Sequence, residues 1–194
     1  MIKKLSISLW LLCSLIIVVA CQETTDDSDQ KELSEEAVEV ASEIDHVIVE
    51  LMNEHGRPVA IATLVENPEG GVKITLDGEN LPPGEHGFHI HDRGECTPPD
   101  FESAGGHYNP TNSLHGFDDP EGPHAGDLEN ITVKEDGSVF VELDAPMVSL
   151  KRDHENTLFT EEGTSLIIHA DPDDYISQPA GNAGERIACG VIGQ

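Results

Sequence analysis

Positive charge is scarce in this 194-residue chain: 10 Lys+Arg stand against 38 Asp+Glu, a formal net charge of −28. That balance argues against a nucleic-acid partner, because phosphates reward a basic patch through counterion release. Aromatic residues make up only 4% of the chain, and an acidic chain with few aromatics can stay disordered. The 37% hydrophobic content allows a real core for most of it. Strong helical periodicity is missing as well, while 18 Gly and 12 Pro supply turns. Short strands are therefore expected rather than long helices. The length suits one domain plus an attached segment.

The segment is N-terminal. Lys3 and Lys4 precede an apolar run from Leu9 to Ala20, too short to span a membrane of about 20 residues but suited to an export signal. Val18-Val19-Ala20-Cys21 resembles a bacterial lipobox, which makes residues 1–20 a lipoprotein signal peptide and Cys21 the lipidated first residue. An ordinary signal peptide or an uncleaved anchor is the alternative, and either also exports the domain. In residues 21–45 the charges run from Glu23 to Asp45, all acidic except Lys31, the pattern of a self-repelling tether. Leu33, Ala37, Val40 and Ile44 fall at helical spacing within it. With Cys13 in the signal and Cys21 lipidated, Cys96 and Cys189 remain as an even pair in an oxidising compartment. A disulfide is expected between them, with two buried free thiols as the alternative.

From Val47 onward the apolar period is two. Val47, Val49 and Leu51 alternate, as do Val59 and Ile61, then Val72, Ile74 and Leu76. Asn53–Pro58 and Asn67–Gly71 supply hairpin-type connections, and Glu135-Asp136-Gly137 is another tight turn signal. Further strands are expected at Gly87–His91, Ile131–Lys134, Val139–Leu143, Ser165–His169 and Arg186–Ile192. Eight short strands point to an antiparallel sandwich or barrel. Two long aperiodic stretches, 92–127 and 170–185, interrupt them, and loops of that length are usually functional.

The chemistry is concentrated in histidine. In Phe88-His89-Ile90-His91 a strand would place both imidazoles on one face, about 7 Å apart. His86 has the opposite parity and reads as a hydrogen-bonding structural residue. His107, His115, His124 and Asp127 form three imidazoles and a carboxylate, the closed four-coordinate set preferred by structural zinc. A solvated loop is the alternative. His169 ends an apolar strand and adds a fourth nitrogen to His89, His91 and His107, a set that suits copper(II) better than zinc.

These motifs, with Ser103–Pro110 and Gly181–Ile192, resemble the copper/zinc superoxide dismutase family over roughly Val47 to Ile192. The resemblance implies that residues 46–194 form an eight-stranded antiparallel Greek-key β-barrel, an immunoglobulin-like sandwich architecture with two long functional loops. It implies copper on His89, His91, His107 and His169, and zinc on His107, His115, His124 and Asp127, with His107 bridging. It also implies that the copper ion cycles to disproportionate superoxide anion, with His107 as ligand and acid and Arg186 positioning the anion. Asp173 becomes the carboxylate joining a copper histidine to a zinc histidine. The partners so implied are superoxide, a membrane reached through the lipid, and a second copy of the chain as a candidate. The alternative function is a non-catalytic copper/zinc-binding lipoprotein, against which Arg186 argues. One feature departs from a steering funnel: residues 170–185 contain no lysine, so slow anion capture is expected unless Lys151 or Arg152 approaches in space.

Overall fold

A computed structural model describes residues 46–193; the signal peptide, Cys21 and the tether expected over 1–45 lie outside them. Nine strands are formed among the described residues: β1 His46–Asn53, β2 Pro58–Glu66, β3 Val72–Gly78, β4 Gly84–His86, β5 Phe88–His91, β6 Ile131–Val133, β7 Val139–Ala145, β8 Thr164–His169 and β9 Arg186–Gly193. The three turns form where the sequence places them. Two close the β1–β2 and β2–β3 hairpins, for example through Gly56 N–H to Asn53 O at 2.8 Å. The third, closed by Gly137 N–H to Lys134 O at 2.9 Å, carries the chain from β6 to β7, which pair with other strands.

All pairing between strands is antiparallel. Seven strands make one sheet in the order β5-β8-β9-β1-β2-β3-β7, and β4 pairs with β6 as a separate ribbon. The jump from β5 to β8 is a Greek-key crossing. The expected count of eight strands is corrected to nine, because the chain changes partners at Gly87. Its N–H goes to Asp171 O at 2.9 Å and its carbonyl accepts from His169 N–H at 2.8 Å, so β4 stays with β6 while β5 joins β8. The ladder is not a fully closed barrel either: the large sheet ends at β5 and β7. A sandwich-like half-barrel describes it.

The period of two does its work in β3, where Val72, Ile74 and Leu76 face inward while Lys73 and Asp77 are exposed. They join Leu51, Leu64, Phe88, Ile90, Leu166 and Ile168 in the main core. β8 is buried throughout, which explains why Leu166-Ile167-Ile168 shows no alternation. Its second face lies under the 92–105 loop, where Ile167 packs with Phe101, Ala104 and Cys189. The Cys96–Cys189 disulfide, with Cα atoms 5.7 Å apart, fastens that loop to β9. A third irregular stretch, 146–163, escaped the sequence reading; the Glu66 carboxylate ties it down through Ser149 Oγ at 2.9 Å and Leu150 N–H at 2.6 Å.

Candidate metal centre

Sheet register builds the first half of the site. On β5, His89 lies opposite Ile167 and His91 opposite Ser165, and their ring centroids are 6.4 Å apart. His169, at the end of β8, brings its ring to 4.9 Å from His89 and 5.6 Å from His91. An isolated bridge between His91 and His107 draws the long loop onto this face. The His107 ring then sits 4.0 Å from His89 and 5.1 Å from His91.

The loop itself builds the second half, around one carboxylate. His107 Nδ1 is 2.7 Å from Asp127 Oδ1, His124 Nδ1 is 3.2 Å from the same oxygen, and His115 Nδ1 is 3.1 Å from Oδ2. Backbone N–H groups of Gly116 and His124 donate to Oδ2 at 2.9 and 3.0 Å. Two buried clusters result, His89/His91/His107/His169 and His107/His115/His124/Asp127, each with donor atoms within 4.8 Å of one another and with His107 common to both.

The nitrogens themselves test whether metals fit. Among the described residues, His89 Nδ1, His91 Nε2, His107 Nε2, His169 Nε2, His115 Nδ1 and His124 Nδ1 are buried without a hydrogen-bond partner. The contacts of His115 and His124 to Asp127 are close but out of hydrogen-bonding alignment. A tetrahedron with metal–ligand distances near 2.0–2.1 Å has edges of about 3.3 Å, close to the separations around Asp127. In four rings the opposite nitrogen faces an acceptor, which orients the ring and turns its partnerless nitrogen toward the cluster. His89 Nε2 faces Asp173 Oδ2 at 2.8 Å, His91 Nδ1 faces Gly105 O at 3.0 Å, His115 Nε2 faces Asp173 Oδ1 at 3.0 Å and His169 Nδ1 faces Gly184 O at 3.3 Å. Four imidazoles suit copper, and three imidazoles with a carboxylate suit zinc.

Charge follows the same geometry. Burial would raise Asp127, but His107, His115 and His124 hold it far below the carboxylate range. Asp173 is depressed in the same way, by His115 and then His89 against its burial. Burial lowers His107 to about 4 despite Asp127, and lowers His169 to about 3 with help from neighbouring His89. For His115 burial is outweighed: Asp127 and Asp173 flank the ring and raise it to about 9.

Above the four-histidine cluster opens a cleft of about 350 Å³. Among the described residues, Arg186 is the one permanently charged side chain on its wall, beside His91, His107, His169, Asn109 and Pro179. Its guanidinium is fixed by two carbonyls, Phe101 O and Gly105 O, each at 2.6 Å. Gly105 O thus serves Arg186 and His91 together. The cations considered as additional attractors are engaged elsewhere: Lys151 lies 3.8 Å from Glu66, and Arg152 covers the Phe159 ring at 4.4 Å.

The sequence-predicted metal ligands, Asp173 and Arg186 therefore meet in one place, and the expected Cys21 lies outside the described residues. His86 has the structural part expected of it, its ring lying between the Pro82 and His169 carbonyls at 2.8 Å each. Sequence reasoning missed the supports. Asn130 grips the Asp173 backbone through two bonds of 2.9 Å. Gln178 clamps the His115 backbone through two more at 2.9 Å. Gly181 leaves room for the Asp173–His115 pair. No local pattern marks Asn130; Gln178 carried the signal of a polar residue in the 170–185 loop, and Gly181 that of opening the Gly181–Ile192 motif.

The chain matches the family described as copper/zinc superoxide dismutase (SODC) over residues 59–192. It is 54% identical over 144 residues to superoxide dismutase [Cu-Zn] 2 of Aquifex aeolicus, covering 74% of this chain and 84% of that protein. It is 40% identical over 185 residues to the superoxide dismutase-like protein YojM of Bacillus subtilis, covering 95% and 93%. Among solved structures, the Cu/Zn superoxide dismutase from Brucella abortus superposes with a TM-score of 0.62 at 34% identity, covering 76% of this chain and 99% of that one. A SOD-like protein from Bacillus subtilis gives 0.72 at 44%, covering 76% and 97%.

Proposed function

The chain belongs to the copper/zinc superoxide dismutase family, and we propose that His89, His91, His107 and His169 hold its copper while His107, His115, His124 and Asp127 hold its zinc. It is an enzyme that disproportionates superoxide, two anions and two protons giving dioxygen and hydrogen peroxide. Bound copper supplies the one-electron carrier for that exchange; bound zinc has no redox chemistry and orders its loop. The observation that carries the reading is the pair of buried clusters sharing His107, with partnerless nitrogens aimed into both.

The chain's own residues supply the rest. His107 presents Nε2 to one cluster and Nδ1 to Asp127, so its Nε2 is the place where a proton can be kept beside the reacting anion and given up to it. Arg186, fixed by Phe101 O and Gly105 O, offers a guanidinium of set direction at the cleft wall. Asp173 accepts from one histidine of each set and keeps their other ring nitrogens facing inward.

The N-terminal part of the reading concerns residues 1–45. Residues 1–20 act as a lipoprotein signal, Cys21 carries the lipid, and residues 21–45 tether the enzyme on the extracytoplasmic side. The disulfide supports an oxidising location. Mass spectrometry of the mature N-terminus tests the lipid, and the mass in solution tests pairing with a second copy.

The function is tested with the full chain loaded with one copper and one zinc. Rapid superoxide removal is expected, lost when copper is withheld. Arg186→Ala should slow turnover roughly tenfold or more while both metals stay bound. Absent turnover with both metals seated would favour metal sequestration instead.

A further inference from the structure

We propose that Tyr175 is a positioning residue that locks the zinc-side loop against the segment carrying Asp173. The inference rests on the zinc assignment above, and several observations meet in this one side chain. Its hydroxyl accepts the Asn130 amide proton at 2.8 Å. Asn130 in turn holds Asp173 by both backbone groups: Oδ1 accepts its N–H and Nδ2 donates to its carbonyl, each at 2.9 Å. The Tyr175 N–H donates to Asp173 Oδ1 at 2.7 Å, the oxygen that also takes His115 Nε2 at 3.0 Å. Its ring packs on Phe117, two residues past His115, with centroids 5.5 Å apart.

The backbone gives the independent sign. Tyr175 has φ +60°, a left-handed conformation that a bulky side chain adopts only where its surroundings impose it. Here the tilted ring contact with Phe117 and the hydroxyl bond to the Asn130 N–H impose it, and the result is a carboxylate aimed at both histidines. Neither loop has a hydrophobic period that could set its shape alone. A side chain of the 170–185 loop that bonds the Asn130 backbone and packs on Phe117 of the zinc-side loop removes freedom that would otherwise be lost on metal binding, which slows release.

The test uses the full chain loaded with both metals. Tyr175→Phe keeps the ring contact with Phe117 and removes the hydroxyl; Tyr175→Asn tolerates the positive φ and removes both contacts. Zinc release into excess chelator should be roughly three- to tenfold faster for Tyr175→Phe and more than about tenfold faster for Tyr175→Asn. Hydrogen exchange at the Asn130 amide should accelerate in both variants. The unfolding midpoint of the metal-free chains should move by no more than about 3 °C. Wild-type release rates in both variants would overturn the positioning role. So would faster release matched by a proportionate fall in the metal-free midpoint, since Tyr175 would then be a packing residue of the whole fold. If the unsubstituted chain takes up no zinc, the zinc assignment itself fails.

Discussion

Substituting Gly181 by alanine sets one added methyl group against the link between the two clusters. Gly181 has φ +65°, and a Cβ built on it lies 2.7 Å from His115 Nε2 and nearer still to Asp173 Oδ1. The carboxylate cannot swing away cheaply, because Oδ1 takes His115 Nε2 and Tyr175 N–H while Oδ2 takes His89 Nε2. The left-handed backbone costs alanine about 1–2 kcal/mol. Losing a hydrogen bond between Asp173 and His115 costs about 1.5–3 kcal/mol more. The second term falls on zinc, because His115 sits on an irregular loop whereas His89 is fixed by strand pairing. Zinc affinity should therefore drop on the order of 10- to 100-fold, measured by competition against a chelator of known strength. Gly106→Ala is the internal control: it neighbours His107, yet an added Cβ meets nothing within 4 Å. Zinc affinity within threefold of wild type for Gly181→Ala, or equal damage from Gly106→Ala, would refute the reasoning.

Other consequences are as concrete. Superoxide removal by the loaded chain should stay flat or rise as salt shortens the screening length from about 30 to about 8 Å, because the cleft has one cation on a chain of net charge −28; a steep fall in rate would reveal net attraction. Raised to about 9, His115 is protonated at pH 7 in the metal-free chain. Its contribution to metal-free stability is complete below pH about 6.5 and is lost as pH rises through about 9. Zinc uptake should accordingly release a proton near pH 7 and none well above pH 9, and calorimetry in buffers of different ionisation heat would expose any other pattern. Replacing Cys96 and Cys189 by serine removes a link between residues 93 apart, worth about 4–5 kcal/mol by loop-closure entropy. It should also lower turnover with copper retained, since Phe101 and Gly105, which hold Arg186, lie on the loop that the disulfide fastens; unchanged turnover would break that connection.

What the sequence alone determined was whatever is local or chemically rare. A period of two placed Val72, Ile74 and Leu76 on the buried face, and Gly-containing turns closed their hairpins. Imidazole and carboxylate at fixed spacing in a glycine-rich loop have few uses besides metal, so His107, His115, His124 and Asp127 were legible without coordinates. Tertiary structure alone decided what depends on partners distant along the chain. The switch at Gly87 that separates β4 from β5 is a matter of which strand lies alongside, as is the double burial of β8. The supports of the site have the same origin: Asn130, just before β6, reaches Asp173 43 residues on, and Gln178 reaches His115 63 residues back. A side chain's type tells what it can bond to; the fold determines which group stands within 3 Å of it.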